Sequence, residues 1–439
     1  MRRQLSNSMY GLLDYAAYPI GMLVVAPFIL RNLGAAQYGI WMVTASVVNI
    51  GSILASGFGD ANTQRVASQR GTGHGLDVVR VIRAAMGIHL ALGLLSALAI
   101  WCVASQLAVR LAPHDLQLQG TCLVCIRMAA GLTVMRAVET VCVSTQKAFE
   151  RYGAAVRISI VGRLVSLAGA AALAEQSCGV ATIMAVSAIV VTAALGVQII
   201  GLRRLAGKPV GPSYEGCVSM DLLRFGVFTW ILAAAGALFG QADRLVGGAS
   251  LGAAGVVSYA LCAQLSQPVY GLTAAGLHFL FPYIAARRAD GEANALRKTL
   301  LTAVAINTGI VVIAAASLLA ASDALLHLLA PEPLAQAGLE IMPWVLAGTT
   351  LLALSVTGGY AMVALGKVRT VAALNVAACV ALMSIAAGSF RSWGVVAIAE
   401  GRIAFALIVL CVYIPLWREV RVLTPTSQQI ASTELVEEA

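Results

Sequence analysis

Ten ionisable residues stand inside otherwise apolar stretches of this 439-residue chain. Arg127, Arg136, Arg163, Arg244 and Arg402 are the basic ones, and Asp14, Asp60, Glu139, Asp243 and Glu400 the acidic ones. Charge in such a setting is costly, so each group is a candidate for function. Arginine is permanently charged, and its planar fork of donors grips phosphate or carboxylate oxygens two at a time. A carboxylate there can pair with an arginine, take up a proton or hold Na+. Spacing sorts the ten. Arg136 and Glu139 lie three apart and share a helix face. Glu400 and Arg402 lie two apart and do not, and Asp243 and Arg244 point in different directions. Arg127 precedes Arg136 by nine residues, half a turn out of phase. Candidate anion contacts are therefore Arg136, Arg244, Arg127 and Arg402, with Arg31 at an interface. Candidates for coupling to H+ or Na+ are Asp14, Asp243 and Glu139. Arg163 is placed to snorkel to the surface. Cys122 and Cys125 form a CxxC with no second pair, which reads as small apolar residues rather than a metal site. His89 and His278 read as satisfied or interfacial side chains.

The elements that must hold these groups are membrane helices. Apolar residues make up 59% of the chain and charged ones 11%, with a mean hydropathy of +0.86, where a soluble domain carries about 25% charge. Twelve apolar segments lie at about 10–31, 38–61, 86–109, 121–145, 155–174, 179–202, 222–248, 252–284, 299–321, 342–365, 368–388 and 394–417. Most suit a helix crossing about 30 Å of hydrocarbon. Barrel-type alternation is absent, so the spacing predicts an all-α integral membrane protein. Pro268 predicts a kink in the eighth segment. The first apolar run is too long for a signal peptide and reads as an uncleaved span.

With both termini on the cytoplasmic side, 21 of the 29 basic residues fall in inner segments and three, Arg31, Arg110 and Arg391, in outer loops; that asymmetry sets the orientation. The net charge of +9 then reflects topology. No basic helix interleaved with stacking aromatics points to nucleic acid. The polar end, 422–439, reads as a disordered cytoplasmic tail.

A repeat organises the spans. "LGAA" occurs in "RNLGAAQYGIW" and again in "GASLGAAGVVSY", beginning at Leu33 and Leu251, 218 residues apart. The same offset maps Trp41 to Tyr259, Val66-Ala67 to Ile284-Ala285, Arg70 to Arg288, Gly73 to Gly291 and Arg80 to Lys298. Later, "CGVATI" and "WGVVAI" begin 215 apart. This predicts an N-terminal lobe over 1–205 and a C-terminal lobe over 206–421, each of six helices. An even number gives both lobes the same orientation, a parallel repeat of the kind that places a site between halves. Gly34 is expected to end its helix in a left-handed cap, and Trp41 and Tyr259 to sit at the membrane interface.

The phrases "RNLGAAQYGIW" and "QADRLVGGASLGAAGVVSYALCAQL", and within the second the pattern D-R-x-x-x-G-x-x-x-G, resemble the Wzx-type polysaccharide flippases. That group shares the multidrug/oligosaccharidyl-lipid/polysaccharide (MOP) superfamily with the MATE exporters, and the resemblance covers nearly the whole chain. It implies two MATE-like lobes, a V-shaped cavity and no catalytic residues. It implies movement of an undecaprenyl-diphosphate-linked oligosaccharide from the inner to the outer leaflet of a bacterial inner membrane, with no cofactor beyond an H+ or Na+ gradient. Partners would be the lipid-linked oligosaccharide, membrane lipid, and the polysaccharide polymerase and chain-length machinery. The diphosphate is the anion the arginines would meet. Alternatives are a MATE-type exporter of organic cations, which would favour acidic cavities, and a membrane polymerase or ligase, which would need larger outer loops.

Overall fold

A computed structural model describes residues 2–56, 58–71, 75–149, 151–208, 210–214, 216–277 and 293–423. Its elements are helices: α1 (Arg2–Ser56), α2 (Gly59–Gly71), α3 (Gly75–Leu111), α4 (Leu116–Ala148), α5 (Tyr152–Glu175), α6 (Val180–Ala206), α7 (Gly216–Gly255), α8 (Val257–Gly276), α9 (Ala293–Leu329), α10 (Glu332–Ala364), α11 (Val368–Trp393), α12 (Val395–Leu410) and α13 (Tyr413–Leu423). Among the described residues, nine stretches are long and apolar enough to cross a membrane, and Ile20–Ile53 within α1 is one of them. That stretch is two helices meeting at Gly34. Counting its sides separately and adding α7 and α8 gives the twelve expected.

The repeat is visible in the backbone. Gly34 has φ 81° and ψ 170°; Gly252, 218 residues later, has φ 77° and ψ 173°. This corrects the expected left-handed cap. With ψ near 170° the chain is in an extended, positive-φ region open almost only to glycine, and it swings one helix directly into the next. The later match also holds: Gly179 precedes α6 and Gly394 precedes α12, each as the N-cap. Gly73, the repeat partners at 284–291 and His278 lie outside the described residues, as does 424–439 of the expected tail.

Other boundaries moved. Helix α8 runs on through Pro268 without a break. The polar stretch after span 2 is a helix, α2, tied to α4: Asn62 Nδ2 donates to Ser144 Oγ at 2.7 Å and to Thr145 Oγ1 at 3.0 Å. The last span breaks at 411–412, and α13 continues with Leu416 and Val420 buried and Arg418 exposed. Lys367 and Glu419 pair at 2.8 Å beside it.

Within each half, α3 packs on α4 and α11 on α12. Between halves, α1 packs along α7 and also meets α8. The largest buried apolar cluster is shared by both halves and gathers around the two glycine turns, from Tyr38, Ile40 and Met42 to Val256, Tyr259 and Leu261. Trp41 (5% exposed) and Tyr259 (0%) lie in it, not at an interface as expected. The halves meet beside them, where Gly39 lies against the Ala253 backbone.

Candidate functional site

Small residues allow the halves to meet at the glycine-turn end. A side chain added at Gly39 would land on the Ala253 carbonyl oxygen, so backbone touches backbone there. Gly248 faces Val43 and Leu111, and Gly252 faces the Leu111 carbonyl. Arg31 crosses the seam, donating from Nη2 to the Leu328 carbonyl at 3.4 Å. Towards the other end of α7, Phe58 and Trp230 stack across the halves with centroids 6.4 Å apart. The connecting segment leans on α3, with Ser213 N–H donating to the Arg83 carbonyl at 3.1 Å.

Along α7, Gly236, Gly240, Arg244 and Gly248 are spaced by four and so share a face. Gly236 and Gly240 look into open space, whereas Gly248 is packed into the seam. Arg244 stands between them, 5% exposed. Its Nη1 reaches Gln241 Oε1 at 3.5 Å, its Nε has no hydrogen-bond partner, and among the described residues no carboxylate pairs with it. A buried guanidinium without a counter-ion is expensive, and the remedy it invites is an anion.

Arg402 is different. It is sealed within the C-terminal half and pairs with Asp243 from Nη1. The same carboxylate accepts from Tyr259 Oη at 2.9 Å and from the Arg244 backbone N–H at 2.7 Å. Arg402 also donates to the Phe239 carbonyl at 3.3 Å and to Thr349 Oγ1 at 3.4 Å, and lies 4.2 Å over the Phe239 ring. Four helices, α7, α8, α10 and α12, are thus joined around one ion pair.

In the N-terminal half, Arg136 Nη1 pairs with Glu139 Oε2 at 2.6 Å, with the two side chains 25% and 8% exposed. Glu139 Oε1 accepts from Ser159 Oγ at 2.8 Å. Gln198 Nε2 donates to that hydroxyl at 3.5 Å, and Gln146 Nε2 donates to Gln198 Oε1 at 2.5 Å. A polar chain therefore runs from a half-open arginine into closed protein.

Arg127 stands apart from both clusters. It is exposed on α4 and lies 4.7 Å over the Trp101 ring of α3. The expectation that it does not share a face with Arg136 agrees with this. The side chains of Asp14 and Asp60 lie outside the described residues. His89 is buried, with Nδ1 2.8 Å from the Ala85 carbonyl, and Cys122 and Cys125 are buried in the shared core. Sequence reasoning missed the neutral partners: Tyr259, Thr349, Ser159, Gln146 and Gln198. The amides and hydroxyls of an apolar span must find partners, and that cost was their only sequence signal.

No family model matches this chain, nor does any curated protein. Solved structures do. An inward-facing conformation of a multidrug resistance MATE family transporter of the MOP superfamily superposes with a TM-score of 0.75 at 14% identity, over 95% of this chain and 99% of that one. The MATE multidrug transporter DinF-BH gives 0.65 at 15% identity over 95% of each chain. An outward-facing conformation of a MATE family transporter of the same superfamily gives 0.57 at 12% identity, over 94% of this chain and 96% of that one. The chain thus has the two-half, twelve-helix fold of the MATE transporters.

Proposed function

We propose that this chain carries an anionic, lipid-linked oligosaccharide from the inner to the outer leaflet of a bacterial cytoplasmic membrane by alternating access. Arg244 carries the reading: a buried cation, unpaired among the described residues, at the point where an open face of α7 runs into the seam. A diphosphate offers the oxygens such a guanidinium lacks. Arg136, half-open in the other half, is the second contact. Arg31 serves the outer mouth. Arg402 supports the C-terminal half from within.

The moving bodies on this reading are residues 1–205 and 206–421. The glycine turns lie on the outer side, and the higher TM-score against the inward-facing relative than the outward-facing one matches a state closed at that side. A second reading, export of small organic cations, is favoured by the fold likeness, since the similar structures are those of multidrug transporters.

Reconstitution separates the two. Protein in liposomes should expose a fluorescent polyprenyl-diphosphate oligosaccharide to an added membrane-impermeant quencher, and Arg244→Ala and Arg136→Ala should abolish this. If the lipid stays on its original side under every imposed gradient, the flippase reading is wrong. Extrusion of fluorescent organic cations by the same liposomes would put the second reading in its place.

A further inference from the structure

Among the described residues, Gln264 is the one buried side chain with both ends of an amide unpaired. Nε2 and Oε1 each lack a hydrogen-bond partner, and the residue is 2% exposed. Its backbone is short of a bond as well. Pro268, four residues on within α8, has no N–H, so the Gln264 carbonyl has no helical donor.

Helix α8 packs on α10, α1, α9 and α7, and its contacts sort these by face. Ser258 Oγ donates to the Leu334 carbonyl at 3.1 Å and Cys262 Sγ to the Gly338 carbonyl at 3.2 Å, which sets the α10 face. Tyr259 marks the α7 face through Asp243. Val269, clustered with Val311, marks the α9 face. At about 100° per residue, Gln264 lies about 200° from Cys262 and about 140° from both Tyr259 and Val269. That leaves α1, across the seam. Val257 and Ala260, on the same face, are apolar and buried, so α8 offers the amide no partner. At the 218-residue offset the counterpart of Gln264 is Ser46. Its hydroxyl donates to the Met42 carbonyl at 2.9 Å, and that of Thr44 to the Ile40 carbonyl at 2.6 Å, both within α1. A buried amide without partners carries a desolvation cost that water would remove. The closed seam bears that cost, and parting of the halves relieves it.

We infer that Gln264 is a wedge built into α8 that opposes closure of the outer seam. It keeps the outer-closed and outer-open states near enough in free energy to exchange. The inference rests on the alternating-access part of the reading above and not on the cargo. The wedge is one-sided, because Ser46 is satisfied within its own helix.

Gln264→Met and Gln264→Leu keep most of the volume and remove the amide. In the purified full chain in lipid nanodiscs, both should raise the thermal unfolding midpoint, a gain that misfolding cannot mimic. Hydrogen exchange read by mass spectrometry should slow at least about fivefold across 36–46 and 253–264, the fold-change that one unsatisfied buried amide is worth. Exchange in α5 and α6 should stay as in wild type. Gln264→Glu, which buries a charge there, should speed exchange in the same two segments. The inference is overturned if Q264M and Q264L unfold at or below the wild-type midpoint, since the amide would then be satisfied in the closed state. It is overturned equally if they gain stability without slowing the seam. Seam segments that exchange no faster than the buried part of α4, in wild type and Q264E alike, would remove alternating access and this inference with it.

Discussion

The two halves each bury a guanidinium against a carboxylate, and they do so in opposite ways. Arg136 and Glu139 sit three residues apart on one helix, with a quarter of the arginine side chain uncovered. Arg402 and Asp243 are 159 residues apart, come from α12 and α7, and are 5% and 0% exposed. The first pair lies within α4, and only its carboxylate reaches another helix, through Ser159 of α5, so its arginine is not what ties helices together. The second ties four helices. The repeat does not account for the difference. At the 218-residue offset, Asp243 and Tyr259 correspond to Val25 and Trp41, both apolar and buried, while Arg136 and Glu139 correspond to Leu354 and Thr357. At that offset the turns match and these charges do not.

Several substitutions would break that contrast or sharpen it. The largest effect is expected from Asp243→Asn or Arg402→Ala, which leaves one buried partner alone at a cost of about 3–5 kcal/mol. Thermal unfolding in detergent should show it as a large drop in midpoint or a loss of folded protein. Replacing both partners together, as in D243L/R402M, should recover most of that stability, since buried pairs are often replaceable by apolar residues; no recovery would mean that Asp243 does more than staple. Next come Gly34→Ala and Gly252→Ala, each forcing a side chain into a glycine-only backbone region at about 1–3 kcal/mol. Equal losses at the two sites would extend the repeat from geometry to energy. Tyr259→Phe removes one donor from Asp243 and should cost about 1–3 kcal/mol. Arg136→Ala should move the unfolding midpoint least, by less than about 1 kcal/mol, the ordinary worth of a part-exposed pair, while abolishing transport. A large loss of stability there would make the N-terminal pair a staple as well.

Much of the scaffold was legible in the sequence because membrane burial writes itself as long apolar runs and the repeat as a fixed offset. The LGAA copies located both turns, and the C-G-V and W-G-V phrases located the starts of α6 and α12. Their conformation was not legible, because an αL cap and an extended positive-φ corner both call for glycine. Trp41 and Tyr259 were expected at the bilayer surface because aromatics after a turn usually mark it; here both are buried in the core that the halves share. At the site, Arg136–Glu139 followed from i,i+3 spacing within one helix. Arg402–Asp243 could not follow from spacing, since its members meet only through the packing of α7 against α12. The neutral chain Ser159–Gln198–Gln146 was hidden for the same reason.

The Phe58–Trp230 stack has a practical consequence. Of the six tryptophans, Trp230 faces an aromatic ring of the other half, whereas Trp41 stacks on Tyr38 and Arg127 lies over Trp101, each within its own half. Should the proposed alternating access part the halves at that end, Trp230 alone of these three would exchange its ring neighbour for solvent or cargo. A protein retaining Trp230 as its single indole would therefore carry its own optical clock, reporting the opening and closing of the cleft through emission colour in real time, with no attached dye.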